Sequence, residues 1–86
     1  MDLVFSDSAK KELENLPQEL KVLFLKRLEK MTVLPPRKRM KHGIPCHAVK
    51  VTKQARIVCE IRGDKIYVLH CFGSHKEYER WYRSYK

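Results

Sequence analysis

The sequence predicts an α+β fold: an N-terminal strand and a two-helix hairpin packed on an antiparallel sheet of about four strands, followed by a short C-terminal helix. Three observations predict it. Apolar residues recur at helical spacing through the first third of the chain and alternate strictly through the middle. A serine–glutamate capping pattern then opens the last dozen residues. The 86 residues allow one domain, 1–86, with a thin core, since a chain this short buries only about 60% of its unfolded surface. The 43% of hydrophobic residues fall in periodic blocks, which argues against disorder.

Leu3-Val4-Phe5 reads as an edge strand ending at Ser6-Asp7-Ser8, a cluster of helix N-cap residues. Ala9, Leu13 and Leu16 follow at helical spacing. Pro17 suits the first turn of a second helix, whose stripe is Leu20, Leu23, Phe24, Leu28 and Met31. That helix must stop before Pro35-Pro36, because a residue preceding proline avoids the helical region. A loop over 35–45 comes next. His47–Val51 alternates as a strand, and Thr52–Gln54 turns the chain. Ala55–Arg62 places Ile57, Cys59 and Ile61 on one face and Arg56, Val58 and Glu60 on the other. Gly63-Asp64 marks a tight turn into Lys65–Phe72, completing an antiparallel meander. Ser74-His75-Lys76-Glu77 fits a capping box, so His75, Tyr78 and Tyr82 share one face of the last helix, with Lys76, Arg80 and Arg83 beside them.

The positive charge is confined to the second half. Met1–Leu34 carries six lysines and arginines against six acidic residues, whereas Pro35–Lys86 carries thirteen against four, the whole of the formal +9. A one-sided positive field attracts a polyanion, most commonly nucleic acid. Arg37, Lys38, Arg39 and Lys41 form the densest cluster, and all four histidines and all four tyrosines lie in the same half. No apolar run approaches the roughly 20 residues of a membrane span. The opening Met1-Asp2-Leu3 lacks a secretory pattern, so a cytoplasmic location is expected. Three cysteines, Cys46, Cys59 and Cys71, cannot all pair within one chain, which fits a reducing compartment.

No cofactor or metal is expected. His42-x-x-x-Cys46-His47 and His70-Cys71-x-x-x-His75 mirror each other as zinc ligands, but neighbouring strand residues point to opposite faces and cannot bind together. The acidic residues of the basic half, Glu60, Asp64, Glu77 and Glu79, are too spread to hold Mg²⁺. RNA offers a metal-free route, in which the 2′-hydroxyl attacks the adjacent phosphorus. That route needs a base, an acid and positive charge at the phosphate. His75 suits a proton-transfer role because imidazole titrates near neutral pH. Tyr82 can donate a hydrogen bond or stack on a base, with Tyr78 the competing residue, and Lys50 and Arg56 supply charge from neighbouring strands. His75 and Arg56 are thus expected to converge on one phosphate. The structural alternatives are a surface histidine, tyrosines that only pack, Trp81 docking the helix on the sheet, and His47 and His70 as satisfied core histidines.

The order of elements resembles the RelE/ParE superfamily of bacterial and archaeal toxins over nearly the whole chain. Val4–Leu13 followed by Leu16-Pro17 is similar to its N-terminal stretch. Ala55–Ile61 resembles its arginine-bearing central strand, and Gly63–Leu69 its next hairpin. The resemblance implies a toxin of a type II toxin–antitoxin pair: a ribosome-dependent mRNA endoribonuclease that inhibits translation, with an acidic antitoxin, the ribosome and mRNA as partners. It implies that Lys50 lies near the scissile phosphate and that Arg56 binds it. It places His75 and Lys76 where members carry a catalytic histidine or a cation, Gly73-Ser74-His75 resembling the Gly-Thr-His of one branch. Tyr82 falls on the base-stacking tyrosine. Lys53, Tyr78, Arg80, Arg83 and the 37–41 cations would hold RNA. Two departures stand out: Lys76 replaces an arginine, losing a bidentate fork, and Ala48 replaces a second strand lysine. The competing implications are a ParE-like poison of DNA gyrase, and an RNA-binding or inactive homologue that cleaves nothing.

Overall fold

The first strand, β1 (Asp2–Phe5), leads into α1 (Asp7–Glu14) and α2 (Gln18–Val33). The chain then forms β2 (His47–Lys50), β3 (Arg56–Arg62) and β4 (Lys65–Phe72), and ends in α3 (His75–Tyr85). These elements come from a computed structural model that describes residues 1–40 and 44–85. Lys41 and His42, singled out above, lie outside the described residues.

The sheet order is β1-β4-β3-β2. β2, β3 and β4 form the expected antiparallel meander, and Gly63 takes φ 58° in its tight turn. β1 is an edge strand as read, but it pairs parallel to β4, Val4 opposite Tyr67, which makes the sheet mixed. The helical hairpin carries the chain back across the sheet before the meander begins, so the last strand meets the first in the same direction.

Ser6 caps α1 by accepting from the Ala9 N–H at 3.0 Å, and its hydroxyl donates to the Leu69 carbonyl at 2.7 Å. Pro17 is the N-cap of α2 rather than a residue of its first turn. α2 ends at Val33, before the two prolines. Phe24, Leu28 and Met31 are buried, while Leu23, assigned above to the buried stripe, is 44% exposed. At 3.6 residues per turn, the line through Leu20, Phe24, Leu28 and Met31 faces the sheet and Leu23 falls off its edge.

One irregularity decides which face two aromatic rings occupy. Val58 pairs with His70 and Cys59 with Val68, which leaves Leu69 unpaired as a bulge. Strict alternation from Ile66 and Val68 would put residue 70 in the main core. The extra residue instead sends Cys71 there, alongside Ile57, Cys59, Phe24 and Leu28, and turns His70 and Phe72 to the opposite face. Beyond Phe5, β4 has no strand partner on that side among the described residues, and Glu12 of α1 takes its place. One carboxylate oxygen accepts from the Cys71 N–H at 2.9 Å, and both lie 3.2 Å from His70 Nδ1. Glu12→Ala strands that amide and is expected to cost roughly 1–3 kcal/mol, read as a lower urea midpoint, with Glu12→Gln recovering most of it.

Candidate active site

The face of the sheet opposite α1 and α2 carries the candidate site. Lys50, Arg56 and Phe72 stand in one register row across three strands, and Ala48, Val58 and His70 in the next. α3 lies over this face, where Tyr78, Trp81 and Tyr82 pack with Val58, Phe72, Met40, Ile44 and Cys46 in a second, smaller core. Half of the capping box forms as read: the Glu77 N–H donates to Ser74 Oγ at 3.3 Å, but the Glu77 carboxylate accepts from the Ser74 hydroxyl, at 3.1 Å, instead of from the Ser74 N–H.

Tyr78 is the hub. Its ring centroid lies 5.8 Å from that of His75, 6.2 Å from Tyr82, 6.4 Å from Phe72 and 6.4 Å from Trp81. The Arg56 guanidinium sits 5.9 Å from the same ring. Burial pushes the Tyr78 phenol up, and the Arg56 charge only partly offsets this. The phenol therefore keeps its proton at neutral pH and can act as a donor.

The basic loop is fixed in place by β2. His47, which is buried, hydrogen-bonds through Nδ1 to the Lys38 carbonyl at 2.9 Å, and the Met40 N–H donates to the Cys46 carbonyl at 2.9 Å. A carbonyl can only accept, so Nδ1 of His47 carries the hydrogen. Lys38, Arg39 and Met40 thereby form one wall of an open cleft of about 280 Å³, with Ala48, Tyr78 and Tyr82 completing it. Ala48 stands where the resemblance led us to expect lysine, and its short side chain leaves the space.

Arg56 uses Nη1 on its own turn, donating to the carbonyls of Thr52, Lys53 and Ala55 at 3.0, 3.2 and 2.9 Å. Lys50 is exposed at the same end of the sheet, as is Lys53 in the turn. His75 and Arg56 meet only through Tyr78, with no hydrogen bond between them. His75 Nε2 instead lies 2.8 Å from Glu79 Oε1, while its Nδ1 is buried without a hydrogen bond among the described residues. Lys76, Arg80 and Arg83 line the outer side of α3 with Glu79, around a second hollow, of about 330 Å³. The structure thus groups Tyr78 and Tyr82 with Lys38 and Arg39, places Arg56 and His75 each near the Tyr78 ring, and puts Lys76, Arg80 and Arg83 on another surface. Arg37 is exposed in the loop.

The sequence offers Tyr78 as the competitor of Tyr82 and His47 as a satisfied core histidine, but three roles were not read from it. Glu79 was visible as the i+4 partner of His75. The anchoring role of His47 and the hub position of Tyr78 depend on tertiary contacts, which spacing does not encode. Among the described residues, no group of three His, Cys, Asp or Glu side chains could hold a metal ion, and no helix is long and apolar enough to cross a membrane.

No protein-family model and no curated protein sequence matches the chain. Solved structures do. The isolated RelE toxin of E. coli superposes with a TM-score of 0.72 at 19% identity, over 95% of this chain and 96% of that one. A YoeB/ParE toxin from Agrobacterium tumefaciens gives 0.70 at 16%, over 84% and 96%. RelE in the RelB–RelE antitoxin–toxin complex of Methanococcus jannaschii gives 0.67 at 16%, over 92% and 98%. The chain has the RelE-like fold.

Proposed function

We propose that this protein is the toxin of a toxin–antitoxin pair and that it cleaves mRNA at the ribosome by attack of the 2′-hydroxyl on the adjacent phosphorus, without a metal. The observation that carries this reading is the cleft between two α3 tyrosines and a histidine-anchored basic loop, with the Arg56 guanidinium against the ring of one of those tyrosines. The shared fold supports it. Lys50 and Arg56 take the phosphate charge that grows in the transition state. Tyr78, held protonated, donates to a phosphate oxygen or to the leaving 5′-oxygen, and Tyr82 stacks on the base. His75 accepts the 2′-hydroxyl proton once its ring leaves Glu79. That contact is short but half-exposed, and it is a charged pair only when the imidazole is protonated; with the neutral ring that a base requires, a bound substrate displaces it readily. Lys76 faces the incoming strand from the start of α3. An acidic antitoxin covering the basic face, in the cytoplasm, completes the proposal.

Mapping of 3′ ends after induction in cells tests it. Expected are new ends within translated messenger RNA, reduced on the order of 10²–10⁴-fold by His75→Ala. Intact messages accompanied by a DNA-damage response would assign the fold here to gyrase poisoning. Strong RNA binding without new ends would make it a non-catalytic binder.

A further inference from the structure

α3 has a second cleft on the side away from the first. It encloses about 450 Å³ between His70, Phe72, Trp81, Arg80, Glu77 and Ser84. Its floor is aromatic. The His70 and Phe72 rings stack at 4.8 Å and 12° between planes, and Trp81 leans over both, 5.7 and 6.1 Å away. The bulge at Leu69 creates this floor by turning both β4 rings to the α3 face. The Glu12 carboxylate against His70 Nδ1 fixes the imidazole plane. Arg80 belongs both to this cleft and to the outer row with Lys76 and Arg83, so cations run along α3 beside an aromatic slot.

We infer that this cleft is a second base-stacking subsite for single-stranded RNA, receiving a nucleotide outside the one whose phosphate reacts. Single-strand binders combine a cationic track for the backbone with aromatic rings that take successive bases. Here the strand passes from the Tyr78–Tyr82 cleft over α3 along Lys76, Arg80 and Arg83, and a flanking base enters against Trp81. The charge favours RNA over an acidic protein segment as occupant because Arg80 continues a row of cations spaced along the helix, a spacing that suits repeated phosphates. This inference rests on the RNA reading of the first cleft.

Trp81 is the single tryptophan of the chain, which makes its emission a direct probe. Uncleavable 2′-O-methyl oligoribonucleotides of three, six and nine nucleotides are titrated into the full-length protein. Expected are trimer binding with little change in emission, and a hexamer that binds roughly tenfold tighter and quenches Trp81. Ser84→Leu, an exposed helix position outside the first cleft, fills the slot and is expected to remove both the tenfold gain and the quenching while leaving trimer binding unchanged. Arg80→Gln is expected to reduce the gain by itself. If trimers bind and added length brings neither affinity nor quenching, the subsite is refuted and the nuclease reading survives. If no oligonucleotide binds at any length, the subsite is refuted, while the mapped 3′ ends decide the nuclease reading separately. Quenching by an acidic peptide bearing an aromatic residue, but not by RNA, would make the slot a protein-docking site and overturn the assignment.

Discussion

Replacing Arg56 with alanine is expected to lower RNA cleavage by roughly 10²–10³-fold, the cost of losing one donor aimed at a developing oxyanion. The guanidinium lies against the Tyr78 ring and shares a register row with Lys50. It has a second duty, since Nη1 closes the β2–β3 turn through three carbonyls. A loss of activity alone would therefore not separate chemistry from turn geometry. Arg56→Lys separates them: it keeps the charge but cannot reproduce the planar fork. The lysine variant should recover part of the cleavage rate, and the alanine variant should stay folded with a melting temperature lowered by only a few degrees. Wild-type cleavage by the alanine variant would remove Arg56 from the mechanism.

The free protein holds its catalytic candidates in contacts with one another. His75 is tied to Glu79, one nitrogen of Arg56 is spent on the turn, and both groups lie near the Tyr78 ring. Each tie is weak relative to a phosphate contact, because charge-assisted bonds to an anion exceed both exposed ion pairs and neutral acceptors. The arrangement engages His75 Nε2 and Arg56 Nη1 with partners that a polyanion can replace, while His75 Nδ1 is buried without a hydrogen bond among the described residues.

Most of the fold was legible because local signals agreed. The Ser6 and Ser74 caps, the prolines bounding α2 and the Gly63 turn each specify backbone geometry that short-range chemistry enforces. The parallel pairing of β1 was not legible, since nothing in Leu3–Phe5 encodes the direction of the strand at Ile66–Val68 that it meets. The bulge at Leu69 was equally hidden: Val68-Leu69-His70 reads as ordinary alternation, and only the competing demands of two cores place the extra residue. The site was partly legible. Helical spacing put His75, Tyr78 and Tyr82 on one face, and strand pairing put Lys50 beside Arg56. Spacing could not rank the two tyrosines, which needed the packing of α3, nor show that His75 would face Glu79 instead of Arg56. The anchoring of the loop by His47 was out of reach because its partner is a backbone carbonyl.

Raising the pH from 8 to 10 is expected to destabilise the fold by about 3 kcal/mol through two thiols. Cys59 and Cys71 lie fully inside the main core, and burial pushes both thiols up to about 12 from the ordinary value near 9. Cys46 in the smaller core shifts in the same direction, first by burial and then by the Glu60 charge. A raised acid is held neutral by the folded state, so its contribution is complete below pH 9 and disappears progressively as pH climbs towards 12. At pH 10 an unfolded thiol is largely ionised while the native one is not, which weakens folding by roughly 1–2 kcal/mol for each cysteine. Against a total of roughly 5–15 kcal/mol for a domain, that loss is large. Urea denaturation at pH 7, 8, 9 and 10 measures it directly. The double variant Cys59→Ala/Cys71→Ala begins less stable because it loses core volume, but its stability should fall far less between pH 8 and 10. An equal slope in the two proteins would show that the thiols do not control alkaline stability. Native protein at pH 8 should also react with a thiol-specific disulfide reagent only as fast as it unfolds, because the thiolate is the nucleophile and the core suppresses it.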